Sequence, residues 1–134
     1  MEFKKLQSLL ELSYIPYSKF AVAAIAIDSQ GKEYYGVNVE NAAFPSGLCA
    51  ERSALFGSVA YGGKVGDFKE IHIISKLNDE VISPCAGCRQ VMVEFMPDDA
   101  IIYQYSYDGK KVRKTTVAEM VPFAVRNETL FESK

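Results

Sequence analysis

Pro84-Cys85-Ala86-Gly87-Cys88-Arg89-Gln90-Val91-Met92-Val93-Glu94-Phe95 decides the architecture of this chain. A proline suits the first position of a helix, the two cysteines stand three residues apart, and Pro97 ends the run. The stretch therefore reads as a helix over 85–95. A short apolar strand at 71–75 precedes it and another at 100–105 follows it. A helix set between two strands predicts a layered α/β fold.

The same alternation continues outward in both directions. Upstream, a helix begins near Cys49 and runs to the Gly62-Gly63 stop. Before it, residues 20–27 and 33–39 read as two strands of a hairpin joined by the turn Ser29-Gln30-Gly31. Phe3, Leu6, Leu9, Leu10 and Ser13 are spaced for one face of a helix over 2–13, closed by Pro16. Downstream, Asp108-Gly109 is a turn, 111–115 a strand, and Thr116 a cap for a short helix over 117–121 halted by Pro122. The expected order is α-β-β-α-β-α-β-β-α. With 134 residues, 49% of them hydrophobic, and no repeat or linker, residues 1–134 are expected to form one domain with its own core.

Composition narrows the function classes. No window approaches the ~18 consecutive apolar residues of a membrane span, so no membrane partner is expected. Met1-Glu2-Phe3-Lys4-Lys5 lacks the apolar region of a signal peptide, which predicts a cytoplasmic protein. The net charge is −2, with both signs interspersed. The densest basic run, Lys110-Lys111-Val112-Arg113-Lys114, reads as a solvated hairpin arm, so no nucleic-acid partner is expected.

The chain has only three cysteines, and all fall in two short motifs, Cys49-Ala50-Glu51 and Pro84-Cys85-Ala86-Gly87-Cys88. In a reducing compartment such a cluster points to metal rather than disulfides. Three thiolates are one ligand short of a closed tetrahedral zinc site. The open position suits a water, and the Glu51 carboxylate stands close enough in sequence to exchange protons with it. Both motifs open helices, whose positive dipole ends favour thiolate. Three thiolates outweigh the charge of a divalent ion, so an offsetting cation is needed, and Arg52 is the candidate, donating to cysteine sulfur. His72, the only histidine, sits inside a strand pattern and reads as a core or edge residue rather than a fourth ligand. A redox role for the Cys85/Cys88 pair would leave Cys49 without a purpose.

Four segments carry a family resemblance: Tyr17-Ser18-Lys19-Phe20, Asn38-Val39-Glu40-Asn41-Ala42-Ala43, Cys49-Ala50-Glu51-Arg52-Ser53-Ala54-Leu55, and Ser83-Pro84-Cys85-Ala86-Gly87-Cys88-Arg89-Gln90. Together they resemble the small, homotetrameric, zinc-dependent cytidine deaminases, and the glutamate with its Pro-Cys-x-x-Cys partner is the signature of zinc deaminases in general. The resemblance implies a three-layer α/β domain with a central mixed five-stranded sheet flanked by helices. It implies one zinc per chain on Cys49, Cys85 and Cys88, and hydrolytic deamination of cytidine and 2'-deoxycytidine to uridine and 2'-deoxyuridine plus ammonia, in pyrimidine salvage.

Further roles follow from the same resemblance. Glu51 would move the proton from water to N3 and on to the leaving ammonia. The Ala50 N–H would hold the pyrimidine carbonyl, the Ser83 carbonyl would accept from the amino group, and Phe20 would stack on the base. Asn38 and Glu40, two apart in an extended segment and so on one side, would hold the ribose 3'-hydroxyl. Phe44 and Phe123 would complete the sites of neighbouring subunits in a homotetramer.

The chain departs from the family pattern in three places: at Ala23 and Ile25, bulkier than usual, and at Val125, where an aromatic is common. Alternative readings are a related aminohydrolase acting on a cytosine-containing antibiotic such as blasticidin S, a polynucleotide editor, and a non-catalytic zinc-stabilised module. The Asn38/Glu40 pair and Phe20 favour an ordinary nucleoside over the first, and the acidic balance argues against the second.

Overall fold

The computed structural model describes residues 1–132. At its centre is β1 (Val22–Asp28), a strand of small and branched apolar residues buried along its whole length. Such a run fits only the middle of a sheet covered on both faces. β1 pairs antiparallel with β2 (Glu33–Val37) on one side and with β3 (Phe68–Ser75) on the other. β3 pairs in parallel with β4 (Ile101–Tyr105), which pairs antiparallel with β5 (Val112–Thr116). The sheet is therefore mixed and five-stranded, in the order β2-β1-β3-β4-β5. A parallel pair needs a crossover, and α3 (Ala86–Phe95) supplies it between β3 and β4.

The period-two alternation of the strands sends residues to two separate cores. On one face Ala24, Ala26, Ile71, Ile73 and Ile102 pack against Ala54 and Leu55 of α2 (Ala50–Ser58) and Met92 and Val93 of α3. On the other, Ala23, Ile25 and Ile74 pack against Leu6, Leu9 and Leu10 from α1 (Phe3–Leu9) and the 3-10 turn after it. Helix, sheet and helix form the three layers expected.

Gly36 of β2 sets how closely α2 approaches the sheet. A Cβ there would stand 2.3 Å from the Ala50 carbonyl oxygen and 2.4 Å from the Ala54 nitrogen, so only glycine fits. α2 ends in a 3-10 turn, Val59–Tyr61, and is stopped by Gly62 at φ 95, as the Gly-Gly pair predicted. Thr116 caps α4 (Val117–Met120) in a reciprocal capping box with Glu119.

Several boundaries differ from the sequence reading. The first helix is α-helical only to Leu9 and tightens over Leu10–Leu12. Pro84 is not the first helical residue. Cys85 is the N-cap and its sulfur accepts from the Cys88 N–H at 3.4 Å, which leaves the proline outside the helix. β1 begins at Val22 rather than at residue 20, because Lys19 takes a left-handed φ of 61 and turns the chain into the strand. Val39 lies beyond β2, in isolated bridges with Tyr14 and Leu48. A helix near the C-terminus, α5 (Asn127–Glu132), carries no strong periodic signal and was not expected. The basic run 110–114 is only partly a solvated arm: Lys111 Nζ donates to the Asp79 carbonyl and Arg113 reaches Gln104 and Ser83.

Candidate zinc centre and substrate cavity

The two helices that flank one face of the sheet begin with the cysteines. Cys49 is the N-cap of α2 and Cys85 the N-cap of α3, while Cys88 lies one turn into α3 and is fully buried. Their three Sγ atoms lie within 4.8 Å of one another. That is close to the span one zinc ion bridges with Zn–S bonds of about 2.3 Å. The donor set is all sulfur, which suits zinc, and a guanidinium stands beside it. Arg52 Nη2 donates to Cys49 Sγ at 3.4 Å, and its Nε is buried without a protein partner. The contacts to the cysteine sulfurs raise the pKa of Arg52, so its charge is held.

Glu51 lies in the first turn of α2, only 4% exposed, with Oε2 3.9 Å from Cys88 Sγ. Glu51, Cys49 and Cys85 border a cavity of about 400 Å³ that is also lined by Phe20, Val22, Asn38, Ala50, Ile82 and Ser83. A second cavity of about 340 Å³ shares Asn38 and Cys49 with it and adds Glu40, Phe44 and Arg52. Six of the residues singled out from sequence for catalysis or substrate contact thus come together in one chain: Phe20, Asn38, Glu40, Ala50, Glu51 and Ser83. Phe44 borders the second cavity at 75% exposure, whereas Phe123 is fully exposed and borders neither cavity of its own chain.

A family model described as "Cytidine and deoxycytidylate deaminase zinc-binding region" matches residues 2–104. This chain belongs to the cytidine deaminase family. The cytidine deaminase of Sporosarcina psychrophila is 39% identical over 120 residues, covering 90% of this chain and 85% of its own. That of Halalkalibacterium halodurans is 36% identical over 120 residues, covering 90% and 88%. The crystal structure of cytidine deaminase from Burkholderia pseudomallei superposes with a TM-score of 0.85 at 35% identity, covering 92% of this chain and 95% of its own. The sulfur cluster and the family's zinc-binding region agree on one zinc per chain.

The electrostatics of this deaminase centre follow from burial. Desolvation pushes the Glu51 carboxyl above the usual carboxylate range, against the pull of its own backbone N–H, Arg52 and Cys88. Burial also raises the Cys88 thiol, and the facing Glu51 carboxylate adds to it. Cys85 is buried less; the Cys88 N–H and the neighbouring groups outweigh its desolvation and lower its thiol. The helix-terminal lowering expected for both cysteines of α3 therefore applies to the N-cap, not to the buried cysteine inside the helix.

Asn38 and Glu40 have partners that the sequence did not reveal. Asn38 accepts from the Val22 N–H at 2.9 Å and donates to the Phe20 carbonyl at 2.7 Å. Glu40 accepts from the N–H groups of Tyr17 and Ser18 at 3.1 and 3.0 Å, and from the Ser18 hydroxyl. The bond from the Ser18 hydroxyl, above all, holds the Glu40 carboxyl below its ordinary pKa. The pair thus fixes the turn that presents Phe20. Val22 and Ile82 are wall residues that were missed, since each reads simply as apolar core. Ala23 and Ile25 point away, into the core under α1, so neither family departure touches the cavity. His72 likewise faces α1, on the opposite side of the sheet from the cysteines.

Proposed function

We propose that this chain catalyses the hydrolytic deamination of cytidine and 2'-deoxycytidine to uridine and 2'-deoxyuridine, releasing ammonia. The observation that carries the reading is the buried Glu51 carboxylate beside the three-sulfur cluster, on the wall of a cavity that Phe20 also borders. Cys49, Cys85 and Cys88 would hold the zinc, which when bound supplies Lewis acidity that makes water a nucleophile near neutral pH. Glu51 takes the proton of the attacking water and delivers it to N3 of the base. It then passes a proton to the amine that departs from C4 as ammonia. A desolvated carboxyl with a raised pKa suits a group that must both accept and return a proton. Arg52 offsets the charge of the thiolates.

The remaining residues orient the substrate. Ala50 is the first residue of α2, so its N–H has no partner within the helix and can donate to the pyrimidine carbonyl oxygen. The Ser83 carbonyl accepts from the amino group, Phe20 stacks on the ring, and Asn38 and Glu40 meet the ribose 3'-hydroxyl. Residues 1–134 act as one deaminase domain, in the cytoplasm and in pyrimidine salvage, without membrane or nucleic-acid partners; among the described residues no helix is long and apolar enough to cross a membrane.

A homotetramer completes the reading. Phe44 and Phe123 are 75% and 104% exposed, and Phe123 is presented by a left-handed φ of 56. Large aromatics held outward in this way suit contacts with neighbouring copies of the chain. Light scattering on the zinc-loaded protein tests this, with a monomer at micromolar concentration as the result that would overturn it.

The activity itself is tested by loss of ultraviolet absorbance with cytidine, 2'-deoxycytidine, free cytosine and blasticidin S run in parallel. Turnover of both nucleosides with free cytosine inert is the expected result. Silence on both nucleosides with one zinc bound per chain would overturn it.

A further inference from the structure

Ser83 lies in the connection 76–85, which contains no helix or strand. Up to the N-cap Cys85, and apart from the Tyr107 N–H, which donates to the Leu77 carbonyl at 2.8 Å, it is held by side chains that reach it. Two of these contacts bracket the cavity wall. Gln104 of β4 is fully buried, yet its amide is satisfied at both ends: Nε2 donates to the Ile82 carbonyl at 2.7 Å and Oε1 accepts from Arg113 Nε at 3.0 Å. The same guanidinium donates through Nη2 to the Ser83 hydroxyl at 3.1 Å. A buried amide is costly unless paired, and here it is spent on one turn of loop. Arg113 is suited to the task because its rigid planar fork engages two acceptors at a fixed separation.

The consequence is geometric. Gln104 holds the Ile82 carbonyl and Arg113 holds the Ser83 hydroxyl, so both residues of the Ile82–Ser83 unit are tied. Pro84 restricts the Ser83 backbone to extended conformations, and Arg89 Nε donates to the Pro84 carbonyl at 2.8 Å just beyond. With its neighbours held, the Ser83 carbonyl has little freedom of direction. We infer that Gln104 and Arg113 are positioning residues that aim the Ser83 carbonyl at the substrate's exocyclic amino group, and so set the preference for a 4-amino pyrimidine. The inference rests on the reading of the Ser83 carbonyl given under Proposed function. Neither residue belongs to the four segments that carry the family resemblance.

The test compares two ligands on the zinc-loaded full chain: cytidine, and the riboside of pyrimidin-2-one, which carries hydrogen where cytidine carries the amino group. Arg113→Met, on an exposed edge strand, is the main variant. Gln104→Leu is the second, and zinc content and thermal unfolding check that each is folded. The expected result for Arg113→Met is a fall of ~10-fold or more in kcat/KM for cytidine, with the inhibition constant of the pyrimidin-2-one riboside at its wild-type value. Ser83→Ala should reproduce that loss, and combining it with Arg113→Met should add nothing. Unchanged kinetics with cytidine would overturn the clamp and leave the Ser83 carbonyl contact standing. An equal loss for both ligands would overturn the proposal differently, because the clamp would then support the cavity without aiming at the amino group.

Discussion

The sulfur of Cys88 lies 3.9 Å from Oε2 of Glu51, and both groups are buried. A carboxylate in that position is desolvated by the same packing that brings it to the sulfur cluster. Glu51→Gln keeps the shape of the side chain and removes only its ability to carry a proton. Zinc content should be unchanged and cytidine turnover should fall by at least ~10²-fold. Metal analysis and the absorbance assay on one preparation check both halves, and normal turnover would remove Glu51 from the mechanism.

Arg52 is the only cation recorded in hydrogen-bond contact with a cysteine sulfur among the described residues. Arg52→Met removes its charge while keeping much of its length. Either zinc retention or turnover should drop by about 10- to 100-fold, the usual cost of losing a group that supports a metal ligand. Competition with a chelator measures the first and steady-state kinetics the second. Wild-type behaviour in both would mean that the thiolate charge is balanced elsewhere.

Replacing glycine with alanine in a strand commonly stabilises a protein by restricting the unfolded chain. At Gly36 the sign should reverse. The new Cβ would meet the backbone of Ala50 and Ala54 at 2.3 and 2.4 Å, where no side chain can swing aside. Gly36→Ala should cost about 2 kcal/mol, read from the denaturant midpoint. A gain in stability would mean that α2 is free to retreat from the sheet.

His72 should make stability sensitive to mild acid. Its Nε2 meets Glu70 at 2.7 Å and its Nδ1 meets Tyr105 Oη at 2.7 Å. The ring stacks on Tyr103 at 4.5 Å, and Lys114 lies over the Tyr103 ring. An ionised Glu70 can only accept, so Nε2 carries the proton and Nδ1 accepts from the tyrosine. Burial lowers the histidine's pKa, outweighing Glu70 and Glu33, while the charged N-terminus lowers it further. The unfolded chain therefore binds the extra proton more readily. The stability linked to His72 is present above ~6.5 and is lost as pH falls from there through the lowered folded value. Thermal unfolding between about pH 7 and 5 should show this slope in the wild type. His72→Gln should flatten it, and an unaltered slope would assign the sensitivity to another group.

What could be read from the sequence was what is local. Cys49, Glu51, Cys85 and Cys88 announce themselves by spacing, and each motif carries its own helix start. Gly62 and the Thr116–Glu119 box mark helix ends within a few residues of chain. Gln104 gives no such signal: in Ile101-Ile102-Tyr103-Gln104-Tyr105 it looks like one polar position of an alternating strand. Its partner carbonyl lies 22 residues away, and Arg113 is hidden in a basic run. Phe123 is read, through the family resemblance alone, as completing a neighbouring subunit's site; it borders neither cavity of its own chain, and its role is a relation that only another copy of the chain could reveal. Lys19 is similar, since a left-handed lysine is imposed by the Glu40 and Asn38 contacts around it rather than by its own preference.

Gly36 has a wider consequence. The absence of a side chain there sets α2 against β2 with no slack, and α2 carries Cys49, Ala50 and Glu51. That wall of the cavity admits almost no remodelling without loss of the fold. The opposite wall, at Ile82 and Ser83, is a connection held by side-chain ties from β4 and β5. New substrates would therefore be acquired by rewriting residues 76–82 and the ties from β4 and β5, while the proton-transfer side and the Cys85 ligand stayed as they are. The two walls differ in how much change they tolerate, and a laboratory selection for altered base specificity should collect its substitutions on the second.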